Sequence, residues 1–418
     1  MSRIISEGGP FTDCIVAASV TSNTADFFSK SGLTLTVTAS TASPFVYEIG
    51  GRRFMLTANL NGTATNTAHN FWWIDDTQTL GNSAYPCSYR WTAPSSPATD
   101  QHWFDLGAAQ MKRYNGSAWV DVNRVFIGYT RADSGTQNAQ HACEQIGCSP
   151  WWRFHNLGDA ADGFLDLSSG TTTIDVQYRY AAVVLRSTAT LTHTAGVSGL
   201  TQLKSQGVFI LLDSSIIDLN GRGRAGGAGG TGVGGTGSLS GMAGGGGGGG
   251  GGSSGAGGTG GARQLAVTHG SGNAASGGAV GAVGGSGGSA GLGTTSPMPG
   301  AMGLMWTHGA GGGGGGGTGA AAGGAAGAGG GGMVISAAVI GWASGTSMTA
   351  NGANGTAGGG SGRGGGGGGG GGALIRYARG LYNNGTESAN GGTGGAAGGG
   401  TSGAGGPGGA GLLQFTRI

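Results

Sequence analysis

The chain has 418 residues, of which 104 are glycine and only 9% are charged, and its formal net charge at pH 7 is +2. Nine prolines and unbroken glycine runs exclude a collagen triple helix, which needs glycine at every third position and abundant proline. So small a net charge also excludes disorder driven by charge repulsion.

Glycine and charge divide the chain into two regions. Residues 221–418 hold 86 of the 104 glycines, with seven scattered arginines, one glutamate and no lysine. Scattered arginines without lysine do not form the basic patch that binds nucleic acid. We therefore predict a β-rich region over residues 1–205 and a glycine-rich region over residues 206–418.

Neither region has a stretch that predicts insertion into a membrane. No segment approaches the roughly 20 consecutive apolar residues of a membrane-spanning helix, and the first residues lack the apolar core of a signal peptide. We expect a soluble chain that does not span a membrane and does not leave the cell by the signal-peptide route.

The first region has the pattern of an all-β fold. Residues 32–38 alternate apolar and hydroxyl side chains, residues 44–49 and 52–59 flank a Gly-Gly turn, and residues 114–117 contain an Asn-Gly turn. Further strands are predicted at residues 71–74, 111–114, 118–122, 124–129 and 173–180. Short helical turns are expected only within residues 99–111, before Cys143 and within residues 150–157.

The four cysteines all lie in this first region. Cys143 and Cys148 are spaced for a short disulfide loop, or for a zinc site with His141 and His155, or they are plain thiols. The spacing matches no standard zinc finger. We assign no metal, cofactor or function to these residues.

The second region alternates glycine runs with apolar segments. Residues 200–212 and 215–221 predict buried strands that lead into it, and three uninterrupted runs follow at 244–252, 311–317 and 364–372. The apolar segments between them lie at residues 262–269, 297–308, 333–342 and 373–379, and residues 411–418 repeat the pattern. This is an internal repeat without a strict period, typical of a stacked array.

Glycine runs of this kind have two interpretations. A flexible linker is the simpler one, because glycine loses the most backbone entropy on ordering. The alternative is a lattice of glycine polyproline-II helices, whose N–H and C=O groups bond to neighbouring helices on every side. A linker needs no apolar segments between its glycine runs, and these segments favour the lattice, a sandwich or solenoid-like array.

In such a lattice the segments between the rods are expected to be turns and loops at its two ends. Aromatic, Asn and Met side chains on a rigid base are suited to recognition. Our candidate binding residues are therefore His269, Met302, Met305, Trp306, His308, Trp342, Tyr377, Tyr382, Asn383 and Asn384.

These features resemble a known family. Glycine runs with short aromatic loops over about 200 C-terminal residues are similar to the polyglycine-rich receptor-binding domain of bacteriophage tail-fibre adhesins. Residues 102–129, with a Trp/Tyr-rich strand pair, an Asn-Gly turn and the segment Arg124-Val-Phe-Ile-Gly128, resemble a β-domain segment of tail-fibre proteins. The N-terminal region is, however, larger and richer in Trp than the attachment domain of the T-even adhesins.

The resemblance implies a virion protein at the tip of a phage tail fibre. Its loops would bind an outer-membrane protein or a surface glycan of the host, and its N-terminal region would join other tail or baseplate proteins. We expect a homotrimer, and a single copy at the fibre tip is the alternative. Two alternatives stay open: a structural connector with a glycine-rich spacer, and a surface-polysaccharide depolymerase that uses Asp75 and Asp76 or Asp159, Asp162 and Asp166. We expect no enzyme activity, because these aspartates stand where turns and strand ends favour Asp and no cleft is evident from the sequence.

Overall fold

A computed structural model describes residues 15–17, 28–131, 157–196, 201–237, 246–260, 277–284 and 310–417, apart from residues 43, 50–51, 67–68, 91, 106–107, 109, 159 and 379. Within these ranges the regular elements are β-strands, and Leu157 alone is helical. This confirms the prediction of an all-β first region.

The first thirteen strands form four small, mainly antiparallel sheets. The sheets have the strand orders β1-β4-β5, β2-β3-β6, β13-β7-β8 and β12-β11-β10-β9, and only β9 and β10 pair in parallel. The strands are β1 (Ile15–Ala17), β2 (Phe28–Ser31), β3 (Thr34–Val37), β4 (Phe45–Ile49), β5 (Arg52–Leu56), β6 (Leu60–Thr63), β7 (His69–Asp75), β8 (Leu80–Ser83), β9 (Ser88–Arg90), β10 (His102–Asp105), β11 (Gln110–Tyr114), β12 (Trp119–Asp121) and β13 (Arg124–Arg131).

Both predicted hairpins of this region are present. β4 and β5 pair antiparallel on either side of residues 50–51, and β11 pairs with β12 across the Asn-Gly turn. The Asn115 side chain stabilises that turn by accepting hydrogen bonds from the backbone N–H groups of Ser117 and Ala118 at 3.0 and 2.9 Å.

Strands occupy most of one of the three segments in which helical turns were expected. In residues 99–111, β10 and the first residues of β11 belong to a sheet, and residues 106, 107 and 109 lie outside the described residues. The turn expected before Cys143 lies outside the described residues, and so does the turn expected within residues 150–157, apart from Leu157.

The other thirteen strands of the described residues form two parallel sheets. In each sheet the strands lie side by side in the order in which they follow along the chain. One sheet follows the order β14-β17-β19-β21-β23-β26, with β16 also on β19 and β24 also on β21, and the other follows β15-β18-β20-β22-β25. The strands are β14 (Phe164–Leu167), β15 (Thr171–Thr173), β16 (Gln177–Tyr180), β17 (Ala182–Leu185), β18 (Thr190–Thr192), β19 (Gln202–Leu211), β20 (Ile216–Asp218), β21 (Gly332–Trp342), β22 (Ser347–Thr349), β23 (Ala373–Ala378), β24 (Gly380–Asn383), β25 (Thr386–Ser388) and β26 (Leu412–Arg417).

The compositional boundary at residue 205 does not coincide with a break in this architecture. Residue 205 lies inside β19, and strands on both sides of it share the eight-stranded sheet. The single strand predicted over residues 173–180 is instead two strands, β15 and β16, because the chain leaves one sheet for the other there. The Asp175 carboxylate stabilises the corner by accepting hydrogen bonds from Thr194 N–H and Oγ1 at 2.6 and 2.7 Å.

Apolar segments between the glycine runs supply the core of the parallel sheets. All eleven residues of β21 are buried, and Phe209, Ile340, Trp342 and Leu374 belong to one large apolar cluster. Residues 333–342 and 373–378 are therefore strands, and the expectation that they form loops is wrong. Continuous runs of β-branched and apolar residues are typical of parallel strands covered on both faces.

The glycine segments lie side by side and bond to one another through their backbones. In residues 364–372 every N–H donates to a neighbouring segment, at 2.7–3.0 Å, and the target changes with a period of three residues. Residues 364, 367 and 370 donate to 310–316, residues 365, 368 and 371 to 403–409, and residues 366, 369 and 372 to 350–356.

The carbonyl groups of the same run complete the pattern. The C=O groups of residues 364–370 accept hydrogen bonds at 2.7–2.9 Å from three further segments, 324–330, 247–250 and 392–395. One glycine run therefore has six neighbours and no unsatisfied backbone N–H. Segments of this array join consecutive strands: residues 350–372 connect β22 with β23, and residues 389–411 connect β25 with β26.

Asparagine side chains serve the array where a backbone partner is missing at its surface. The N–H groups of Asn351 and Asn390 donate to the side-chain oxygens of Asn220 and Asn351, at 2.8 and 2.7 Å. The Thr393 N–H donates to Asn354 in the same way at 2.8 Å. These asparagine side chains therefore link the glycine segments that follow the neighbouring strands β20, β22 and β25.

Candidate functional site

In the part of the glycine region that the structure describes, six turns reverse the glycine segments at the end of the array far from the strands. Each turn connects an outgoing and a returning segment, and several carry a glycine with positive φ, such as Gly281, Gly319 and Gly362. Glycine is favoured at such positions because L side chains rarely adopt them. We call these six turns the tip; they are residues 231–233, 253–255, 279–282, 318–321, 360–363 and 399–402.

Hydrogen bonds between different turns make the tip one continuous surface. Turn 253–255 is central, because Ser253 N–H donates to Gly362 O at 2.7 Å and Ser254 Oγ donates to Gly317 O at 3.1 Å. On one side Gly319 N–H reaches Thr231 O at 2.6 Å, and on the other Gly362 N–H reaches Gly399 O at 2.8 Å. Five of the six turns are thus linked to a neighbouring turn, and in the sixth Gly281 N–H donates to Gly252 O at 3.2 Å.

The side chains that the tip exposes are small. Val233 and Val280 are 69% and 57% exposed, and the exposed hydroxyl-bearing residues are Thr231, Ser253, Ser254, Ser361 and Thr401. Arg363 brings a positive charge. Such a surface offers short hydrogen-bonding groups and isolated apolar contacts on a backbone that is already ordered.

The tip residues were not among the candidates chosen from sequence, although a signal for them exists. In five of the six turns, Ser or Thr follows directly on glycine, as in Gly252-Ser253-Ser254 and Gly400-Thr401-Ser402. Ser and Thr are typical turn residues, because their hydroxyl groups bond to nearby backbone. The prediction favoured aromatic side chains instead.

Half of the predicted binding residues fall outside the described ranges. These five are His269, Met302, Met305, Trp306 and His308. The described residues that flank the last four of them belong to the glycine array: Gly284 N–H donates to Ala404 O at 2.9 Å, and Ala310 O accepts from Gly370 N–H at 2.8 Å.

Two predicted binding residues are buried and do not belong to an exposed surface. Trp342 ends β21 and is 0% exposed, and Tyr377 lies within β23 and is 4% exposed. Burial raises the pKa of Tyr377 to about 12. Both side chains pack among parallel strands, because the segments that carry them are apolar strands and not loops.

The last three candidates lie together at the end of β24. Asn383 and Asn384 are exposed, Asn384 N–H donates to Trp342 O at 3.0 Å, and Tyr382 contributes its backbone to β24. This turn lies beside the turns that end β21 and β19, because Gly385 approaches Thr346, and Gly345 approaches the Asp213 carbonyl. It belongs to the strand-connecting turns and is separate from the tip.

The aspartates considered for catalysis have separate structural contacts. Asp75 Oδ1 accepts hydrogen bonds from the backbone N–H groups of Thr77 and Thr79 at 3.0 and 2.9 Å, and Asp162 Oδ2 accepts from Arg179 N–H at 2.6 Å. Asp159 lies outside the described residues. The described aspartates of each set are therefore already engaged in turns and at strand ends.

Asp166 joins the antiparallel region to the parallel sheets. Its two carboxylate oxygens accept hydrogen bonds from Arg186 Nε and from a terminal guanidinium nitrogen at 2.9 and 3.0 Å. His69 of β7 places Nε2 2.6 Å from Asp166 Oδ2 and Nδ1 2.9 Å from the Tyr129 hydroxyl. Burial raises the pKa of Asp166, but the bonds from Arg186 and His69 outweigh it and hold that pKa below its usual value.

The described ranges contain neither a metal centre nor a membrane-spanning helix. No group of three or more His, Cys, Asp or Glu side chains there is placed to hold a metal ion. Of the four cysteines, Cys87 is buried beside Met111, and Cys14, Cys143 and Cys148 lie outside the described residues. No helix in the described part of the chain is long and apolar enough to cross a membrane.

Comparison of the chain with protein-family models, with curated proteins and with solved structures finds no match.

Proposed function

We propose that this protein is a receptor-binding protein of a bacteriophage tail fibre, without enzymatic activity, and that it recognises the host surface through the tip. The observation that carries the proposal is the meeting of six turns at one end of an array in which the central glycine run is bonded to six neighbours. A spacer needs neither feature.

We infer that the glycine segments are polyproline-II-type helices packed as a sandwich. The period of three in the hydrogen bonds of residues 364–372 matches the three residues per turn of that helix, which has no hydrogen bonds of its own. All its N–H and C=O groups then point outward, as six neighbours require. At about 3.1 Å per residue, a nine-residue run holds the tip about 28 Å from the strands.

Such a scaffold suits recognition for an energetic reason. A loop that becomes ordered only on binding loses about 1–2 kcal/mol of backbone entropy per residue. Turns fixed beforehand by hydrogen bonds to their neighbours avoid most of that loss. The array orders its turns before any receptor is present, and the sequence of the turns is then free to vary with the receptor.

The remaining parts of the proposal rest on the resemblance of the sequence to tail-fibre adhesins. We place the protein in the virion, with its N-terminal β-sheets joined to other tail or baseplate proteins and its subunits assembled as a homotrimer. The receptor is an outer-membrane protein or a surface polysaccharide. Small hydroxyl-bearing and valine side chains at the tip are compatible with either class.

Binding of the fluorescently labelled full chain to a panel of Gram-negative cells tests this proposal. We expect the double variant Val233→Glu, Val280→Glu to lose cell binding, because it places two carboxylates on the tip. The matched control is Ala396→Glu together with Thr393→Glu, two exposed positions on the side of the array. Equal binding by both variants would contradict the assignment of recognition to the tip.

A further inference from the structure

The four-stranded sheet β12-β11-β10-β9 has aromatic side chains on the face that points away from its core. Phe104 and Met111 are cross-strand partners and pack with Cys87 in a small apolar cluster, so they define the inner face. Strand side chains alternate between faces, so Trp103 and Tyr114 lie on the other one. Trp119 is the cross-strand partner of Tyr114 and shares that outer face.

The three rings form one connected platform. Trp119 lies 5.5 Å from Tyr114 at an interplanar angle of 58° and 5.5 Å from Trp103 at 71°, both measured between ring centroids. Trp103 is only 6% exposed, and its Nε1–H donates to Arg90 O at 3.0 Å, so it is fixed as the base. Trp119 and Tyr114 are partly exposed above it.

Paired charges border this platform. On the same face, Lys112 Nζ lies 2.7 Å from Asp121 Oδ1, and the Asp121 side chain is 66% exposed. Arg90 and Asp105 are cross-strand partners on β9 and β10, and they add a second positive and a second negative side chain to this border. The border thus offers hydrogen-bond donors and acceptors with no excess of either charge.

The inner face anchors this sheet to the rest of the antiparallel region. Arg124 of β13 lies with a guanidinium nitrogen 3.0 Å from His102 Nε2, and the His102 ring meets the Phe126 ring edge-on at 5.0 Å. Burial, together with the charge of Arg124, lowers the pKa of His102 to about 3. The platform therefore rests on a base that is fixed from below.

We propose that this platform, formed by Trp103, Tyr114 and Trp119 with the Lys112–Asp121 pair, is a binding site for a neutral saccharide. The C–H faces of a sugar ring are apolar and pack on exposed aromatic rings, while its hydroxyl groups both donate and accept hydrogen bonds, as the border of the platform requires. Balanced charge favours a neutral ligand over a polyanion. The site is independent of the tip and of the function proposed for it.

Two competing roles for the same rings make different predictions. If the rings only stabilise a small sheet, their replacement changes stability and no saccharide binds. If they contact a second copy of the chain, their replacement changes the oligomeric state.

Isothermal titration of the full chain with maltohexaose, cellohexaose and chitohexaose, each as a separate probe, tests the proposal. We expect at least one of the three to bind, and Tyr114→Ala and Trp119→Ala each to weaken that binding about tenfold, which corresponds to about 1.4 kcal/mol. Trp119→Phe keeps a ring and should retain part of the affinity. Tyr85→Ala is the matched control, because Tyr85 is an exposed tyrosine, 37% accessible, outside this sheet.

Three results would overturn the proposal. They are no binding of any of the three hexasaccharides, an equal loss of binding in Tyr85→Ala, and a change in sedimentation mass in Trp119→Ala without a change in saccharide affinity. Thermal unfolding of every variant identifies those that fold less well. Tyr114→Ala is decisive if Trp119→Ala does not fold, because Trp119 contacts both other rings of the platform, whereas Tyr114 lies at its edge beside Trp119.

Discussion

A single methyl group inside the glycine array should destabilise it, and Gly368→Ala is the sharpest case. A Cβ atom at Gly368 would lie 2.5 Å from the carbonyl carbon of Gly392 and closer still to its oxygen. Ordinary contact begins at 3.4 Å, so the two segments must separate by at least about 0.9 Å, the difference between 3.4 and 2.5 Å, and by more to clear the oxygen. Substitution at a glycine is otherwise mildly stabilising, by about 0.4–1 kcal/mol, because alanine has less entropy in the unfolded chain.

The hydrogen bonds between these segments set the magnitude. Gly392 N–H and Gly395 N–H donate to Gly369 O and Gly366 O, both at 2.7 Å. A separation of about 0.9 Å stretches both to about 3.6 Å, beyond a hydrogen bond. Two lost bonds at about 0.5–1.5 kcal/mol each, with about 1–3 kcal/mol of overpacking, predict a loss of about 1–6 kcal/mol after the alanine gain.

Urea unfolding of the full chain, followed by tryptophan fluorescence and by limited proteolysis of the glycine region, measures this loss. The control is Gly232→Ala at the tip, where an added Cβ atom meets nothing within 4 Å and where φ is not positive. We expect the control to be neutral or slightly stabilising. Equal stability of Gly368→Ala and Gly232→Ala would refute close packing of the array and favour a flexible spacer.

Three further changes probe other parts of the structure. Asn354→Ala removes the acceptor of Thr393 N–H, and we expect exchange of the Thr393 amide to speed up about fivefold for a bond of about 1 kcal/mol, whereas exposed Asn383→Ala should leave it unchanged. Equal exchange in both variants would show that Asn354 does not cap its neighbour. Glu387→Ala leaves Arg376, 2% exposed and hydrogen-bonded to Gln414 O, without its ion-pair partner. We expect a loss of about 3 kcal/mol in urea unfolding, the lower end for a buried pair because the Glu387 side chain is 25% exposed, and a loss below about 0.5 kcal/mol would contradict the pairing. Asp166 has a depressed pKa when folded, so its contribution is present above the usual carboxyl pKa near 4 and is lost as pH falls through the lower folded value. Asp166→Asn should therefore be less stable than the parent at neutral pH and should lose less stability on acidification below about pH 4; parallel pH profiles of the two proteins would exclude this role.

Local features of the fold follow from the sequence, whereas its long-range pairings do not. The Gly-Gly and Asn-Gly turns specify two hairpins, because strand partners a few residues apart leave only one register. The parallel sheets pair β19 with β21, although more than 100 residues separate them, and no local pattern specifies such a partner. Continuous apolar runs such as residues 333–342 predict burial but not direction or neighbour.

The candidate site was predictable only in part, for a related reason. Aromatic character made Trp342 and Tyr377 attractive for recognition, yet the same character gives these residues the most to gain from burial between parallel strands. Small Ser, Thr and Val residues at the tip carry little signal of their own. Their importance comes from position, which depends on where each glycine segment turns and which segments lie beside it.

Hydrogen exchange of the glycine amides in the full chain tests most directly whether the glycine region is an ordered scaffold. We expect slow exchange throughout residues 364–372, whose nine N–H groups all donate to neighbouring segments, and faster exchange at the exposed tip residues 399–401. Exchange of residues 364–372 at the rate of an unstructured chain would contradict an ordered scaffold and leave the glycine region a spacer.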